Sequence, residues 1–242
     1  MPPRRTTSPR LLYGRRRGRK LRPGRQRLIE QLLPRLEVTV PASGRLDPRA
    51  LFDDPVADVW IEVGFGAGEH LAAQARAHPE VGLIGCEPYI NGVAALLATV
   101  AAQRLGNVRV VPDDARLLLA ALPDASVGRL FALFADPWPK ARHHKRRFIN
   151  RQTLDVCARI LRDGAEFRLA TDLAEHCRWI LDHLRRHDSF VWLARSPRDW
   201  RERPDDWPET RYEEKARRQG RRPVFLRFRR VVRERLEEDA PP

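Results

Sequence analysis

Apolar positions along the chain follow two alternating rhythms. Short runs rich in Val, Ile, Leu and Phe, at 58–63 (DVWIEV), 81–87, 108–111, 127–135 and 165–171, are each followed by a stretch in which apolar residues recur every three or four positions, at 69–78, 92–105, 115–122, 150–161 and 173–187. Continuous apolar runs of strand length predict strands buried on both faces, and the longer spacing predicts helices. Upstream, Leu28, Ile29, Leu32, Leu33 and Leu36 share helical spacing, giving a short amphipathic helix stopped around Pro34, and 38–55 is a Pro- and Asp-rich connection. Segments 191–193 and 224–228 look like closing strands, whereas 192–207 mixes Trp, Pro and Asp without periodicity. Strand and helix in strict alternation predict an α/β fold with a mostly parallel, doubly wound sheet and a ligand at the carboxyl ends of its strands. The expected organisation is a basic flexible arm (1–27), a lead-in helix and linker (28–55), one domain (56–232), and an acidic, Pro-containing tail (233–242).

Composition adds a partner and a compartment. The 242 residues carry a formal net charge of +14, concentrated in the first 27 residues and in 140–147, which points to a polyanion and predicts that the arm meets RNA or DNA phosphates. Cys86, Cys157 and Cys177 are far apart without CxxC spacing, so neither a disulfide framework nor a zinc site is expected. No apolar segment is long enough to span a bilayer or follows the basic start as a secretory signal would, so the expectation is a soluble, cytoplasmic protein with no membrane partner.

Chemistry gathers at the ends of the apolar runs. Gly64, Gly66 and Gly68 lie between a strand and a helix, where the backbone can approach a ligand closely. A dinucleotide fingerprint would want another glycine where Glu69 stands, and Glu62 and Glu69 around the turn disfavour a phosphate. Both suit S-adenosyl-L-methionine, which carries an ammonium and a sulfonium. Glu87 ends the second strand, where an acid can grip two ribose hydroxyls, and Asp114 ends the third, where a carboxylate can accept from an adenine amino group or simply cap the next helix. The fourth strand runs into DPWPKARHHKRR at 136–147: Pro137 and Pro139 push Asp136 and Trp138 towards extended backbone, and a dense cationic segment follows at once. A carboxylate, an indole and phosphate-neutralising cations together fit a nucleobase. His143 and His144 have no partner at metal-ligand spacing, so no metal is expected.

IEVGFGAG (61–68), GCEPY (85–89), NVRVVPDDA (107–115), DPWPKARHHKRR, ATD (170–172) and TRYEEKARRQGRRPVFLRF (210–228) together make the chain resemble the bacterial tRNA (guanine-N7-)-methyltransferases over nearly its whole length. The resemblance implies a Rossmann-like class I S-adenosylmethionine-dependent methyltransferase fold and methyl transfer to N7 of guanosine 46 in the tRNA variable loop. It implies that Glu62, Glu87, Asp114 and Asp136 hold the cofactor, and that Asp136 is the catalytic residue where cofactor and guanine meet. Lys140, Asp172, Thr210, Arg211, Tyr212 and Glu213 would bind the substrate, and Arg142, His143, His144, Lys145, Arg146 and Arg147 would bind RNA. Thr210–Glu213 also fits a capping box with Gly220 as terminator. Competing readings are a methyltransferase acting on another RNA guanine or a free base, a non-catalytic tRNA-binding protein, and a nicotinamide oxidoreductase. Monomer and homodimer both remain open.

Overall fold

The computed structural model describes residues 14–233. The chain opens with α1 (Pro23–Gln31) and α2 (Leu33–Leu36), then a connection with one 3-10 turn at Arg49–Leu51. The core follows as β1 (Asp58–Val63), α3 (Glu69–Ala77), β2 (Val81–Cys86), α4 (Ile90–Gln103), β3 (Val108–Val111), α5 (Ala115–Ala121) and β4 (Val127–Leu133). A 3-10 turn (Ala141–Arg146) leads to α6 (Arg151–Ile160), β5 (Leu161–Thr171), α7 (Ala174–Arg185), β6 (Phe190–Trp192), α8 (Arg198–Arg201), α9 (Arg211–Arg218) and β7 (Val224–Arg230).

The strands form one seven-stranded sheet in the order β3-β2-β1-β4-β5-β7-β6. The first five pair in parallel, while β7 runs antiparallel between β5 and β6, with Leu169 opposite Leu226. Apolar strands of this kind are buried on both faces, and two core clusters bear that out. Val59, Ile61, Leu130 and Phe167 pack with Leu118 of α5, Leu154 of α6 and Ile180 of α7; Trp60, Leu83 and Phe131 pack on the other face with Leu71 of α3, Leu96 of α4 and Leu33 of α2. Because the chain builds outward from β1 to β3 and then returns to place β4 on the opposite side, the sheet has its switch point between β1 and β4. Ligand clefts form there.

The α/β architecture is the one the alternation predicts, and several local expectations are corrected. Pro34 opens α2 instead of ending a helix, since a proline in the first helical turn sacrifices no hydrogen bond. Helix α1 begins at Pro23, inside the segment read as an arm, and residues before it touch the domain: the Ile90 N–H donates to Arg16 O (3.0 Å), and Asn91 exchanges hydrogen bonds with Gly18 N (3.0 Å) and Arg19 O (2.7 Å). Strand β4 stops at Leu133, because Phe134 turns to φ +53°. The aperiodic stretch 192–207 contributes Trp207, which is buried against Phe225. The arm's first thirteen residues and the end of the tail lie outside the described residues. Among those described, no helix is long and apolar enough to cross a membrane.

Candidate active site

A cleft of about 720 Å³ opens at the carboxyl ends of β1, β2, β3 and β4. Its inner wall is the turn after β1, where Gly64, Gly66 and Gly68 adopt φ of 69°, 59° and 80°. Only glycine takes such backbone without strain. Packing reinforces the requirement, since a Cβ on Gly66 would lie 2.9 Å from the Tyr212 ring and one on Gly92 would overlap the Gly66 carbonyl oxygen.

Carboxylates line the floor. Glu87 is buried and accepts the Gly66 N–H (2.9 Å) on one oxygen and the Tyr89 N–H (2.9 Å) on the other, so it fixes the turn while its remaining lone pairs stay available to a ligand. Burial pushes its carboxyl above the ordinary range, more than the two N–H donors pull it down, and the nearby Asp136 and Glu62 charges add to the rise. Asp114 is buried at the end of β3; it caps α5 by accepting the Arg116 N–H (2.9 Å) and pairs with the Arg116 guanidinium (2.9 Å). Asp114 thus caps the helix and also lines the cleft. Asp136 lines the opposite wall, reachable from solvent, and partial shelter by the cleft raises its pKa.

The loop carrying Asp136 is strained. Trp138 has φ +41° instead of the extended backbone expected before a proline, and Phe134 has φ +53° while its N–H donates to Ala170 O (2.8 Å). Left-handed backbone in two aromatic residues persists only when neighbours over-determine it. Among those neighbours, Arg146 lies 5.0 Å over the Trp138 ring, and His143 meets the same ring edge-on at 5.9 Å.

The structure separates the residues read as RNA-binding. Arg142 and Lys145 are exposed on the 3-10 turn, with His143, His144 and Arg146 half-buried beside them. Arg147 is completely buried, which removes it from any RNA surface; its guanidinium donates to both oxygens of Glu175 (3.0 and 2.8 Å) and to Pro137 O (2.7 Å). A uniform run of cations in the sequence carries no mark of which one turns inward.

The remaining substrate candidates also divide. Arg211 and Tyr212 reach the cleft: the Tyr212 ring lies parallel to Phe134 at 6.3 Å, and Arg211 pairs with Glu69 at the start of α3. Thr210 and Glu213 are buried below them: the Thr210 hydroxyl caps α9 by accepting the Glu213 N–H (3.3 Å), and the Glu213 carboxylate accepts from Arg217 (2.6 Å). Lys140 is exposed, and Asp172 is engaged by Arg221 at 2.6 Å; neither lines the cleft. Glu62 does not line it either. Alternation along β1 turns it to the Trp60 face, where it is buried 2.8 Å from His70 Nδ1. The sequence reading missed Phe134, Arg116 and Asn91 at the cleft, for which no motif or spacing gives a signal. Among the described residues no group of three or more acidic, His or Cys side chains is placed to hold a metal ion.

Comparison with known proteins adds the family. A family model described as "Putative methyltransferase" matches residues 56–226. The tRNA (guanine-N(7)-)-methyltransferase of Rhodospirillum rubrum is 52% identical over 96% of this chain and 92% of its own length, and that of Nitrobacter hamburgensis is 51% identical over 90% and 86%. Among solved structures, an rRNA methylase from Streptococcus thermophilus superposes with a TM-score of 0.50 at 8% identity, covering 72% of this chain and 87% of that one, which supports the fold alone. Half the residues shared with whole proteins of nearly the same length, on a sheet of this order, place the chain in the tRNA (guanine-N7-)-methyltransferase family.

Proposed function

We propose that the protein transfers the methyl group of S-adenosyl-L-methionine to N7 of guanosine 46 in the variable loop of tRNA. The observation that carries the reading is the charge arrangement of one cleft: carboxylates on its floor, Asp136 on its wall, and cations at its rim. An anionic floor favours a cationic cofactor over a dinucleotide, and Arg211 beside the glycine turn is paired with Glu69. Glu87 and Asp114 would bind the ribose hydroxyls and the adenine amino group, while Gly64, Gly66 and Gly68 let the turn approach. When bound, the cofactor supplies an electrophilic methyl on a sulfonium.

Guanine N7 carries a lone pair and no proton, so the protein needs no general base. Its work is alignment and charge placement. Asp136 would accept from guanine N1–H and N2–H, turning N7 into the cleft and offsetting the positive charge that develops on the ring. Arg211 and Tyr212 would bound the base, with Thr210 and Glu213 holding them through the cap. Lys140, Arg142 and Lys145 would meet phosphates outside the cleft.

The deciding experiment is incubation with unmodified tRNA and methyl-labelled S-adenosylmethionine, followed by nucleoside analysis. Label in 7-methylguanosine, lost when guanosine 46 is replaced, is the expected result. Label in another nucleoside overturns the base assignment, label kept after the replacement overturns the position, and unlabelled tRNA overturns the activity.

A further inference from the structure

Resting on the assignment of Asp136 to the reacting centre, we propose that Arg147 is a positioning residue that fixes the Asp136 loop and touches neither RNA nor substrate. Its side chain is 0% exposed, so phosphates cannot reach it. Taking a guanidinium out of water is costly unless every donor finds an acceptor. Here Nε donates to Pro137 O (2.7 Å), one terminal nitrogen donates to Glu175 Oε1 (3.0 Å), and the other donates to Glu175 Oε2 (2.8 Å) and Trp138 O (3.4 Å). The Trp179 ring closes one face at 4.5 Å.

The carbonyls so held belong to the two residues immediately after Asp136. One of them, Trp138, carries the left-handed backbone that its surroundings must enforce. Glu175 and Trp179 both belong to α7, so the guanidinium ties the loop to a helix anchored in the core by Ile180 and Leu184. A planar fork can hold a carboxylate and two carbonyls at once. An ammonium cannot.

The test compares full-length Arg147→Met, Arg147→Lys and Glu175→Ala with the parent. Glu175 is half exposed, so its truncation frees one end of the guanidinium without opening a cavity. Displacement of a positioning group by an ångström costs on the order of 100-fold in rate, so single-turnover methylation should fall about that much in Arg147→Met and about tenfold in Glu175→Ala. Arg147→Lys should recover only part of the loss, and affinities for tRNA and S-adenosylhomocysteine should stay within about threefold. Amide exchange in 136–140 should rise in all three variants while other loops keep their protection, a readout that needs no activity. Weakened tRNA binding at an unchanged chemical rate would overturn the inference in favour of RNA contact. Unchanged exchange and rate in Glu175→Ala would overturn it even if Arg147→Met fails to fold. A parent protein inactive on tRNA counts against the function, whereas the exchange data still judge the clamp.

Discussion

Glu87 and Asp136 face one cleft with carboxyls raised by burial, and a raised acid must lose its proton before it can accept hydrogen bonds from a ligand. The sign follows directly: activity should rise with pH through an ionisation above the ordinary carboxylate values of about 4, and protonation should silence the site as pH falls. Asp136→Asn should lower kcat by roughly 100- to 1000-fold, as loss of a charge-stabilising group does, leave tRNA affinity largely intact, and flatten the acid limb of the pH–rate profile. Single-turnover rates from pH 4.5 to 8 check both, and equal loss of binding and rate would contradict the role. The place of Asp136, Glu87 and Asp114 in the cleft was legible because clefts open at the strand ends of a parallel sheet. Glu62 meets His70 at 2.8 Å, a contact that the motif's spacing does not announce. Arg147 was misread because burial of one cation in six is decided by α7, a helix far along the chain.

Elements respond as units, and helix α9 is the one that delivers Arg211 and Tyr212 to the cleft. Thr210→Ala should cost about 1 kcal/mol of stability through the lost cap and raise KM for tRNA more than it lowers kcat, measurable by thermal unfolding and steady-state kinetics. The β5–β7 ladder offers a second test. Glu166 on β5 pairs with Arg168 (2.7 Å) and with Arg227 of β7 (2.8 Å). Burial pushes the Glu166 carboxyl up, yet the Arg227 hydrogen bond and the Arg168 charge outweigh it and bring the pKa to about 2. A depressed carboxylate stabilises the fold above its unfolded pKa and loses that contribution as pH falls through its folded value, here between about 4.3 and 2. Glu166→Gln should therefore destabilise at pH 7 by about 2 kcal/mol and flatten that portion of the acid-unfolding curve. The parallel half of the sheet was legible because each strand there carries a short run rich in Val, Ile, Leu, Phe or Ala. Two features were not: the insertion of β7 between β5 and β6, and the use of 192–207 to bury Trp207, both settled by tertiary packing among residues distant in sequence.

Across the whole molecule, an excess charge of +14 is useful only where it faces the polyanion, and the fold gathers cations at the cleft rim. Arg15, Arg25, Arg146 and Lys215 line the opening, and Arg142 and Lys145 project from the turn beside it. Part of this concentration is achieved by tying the amino-terminal segment down, since Arg16 pairs with Asp113 at 2.7 Å and thereby keeps its basic neighbours over the site. Phosphate neutralisation releases counterions, so each cation engaged steepens the dependence of affinity on salt. Among the described residues Arg142 and Lys145 pair with no acidic side chain, and reversing both to Glu should flatten the slope of log affinity for tRNA against log salt by about 2 while leaving S-adenosylhomocysteine binding unchanged. Parent and variant affinities should converge as salt rises, because the lost term is electrostatic and is screened in both. An unchanged slope with uniformly weaker binding would mean that the turn shapes the cleft instead of meeting phosphates. Arg147 supplies the control within the same motif: loss of that residue should slow the chemical step and leave the salt slope where it was, since a guanidinium already committed to Glu175 and two carbonyls has no counterion to release.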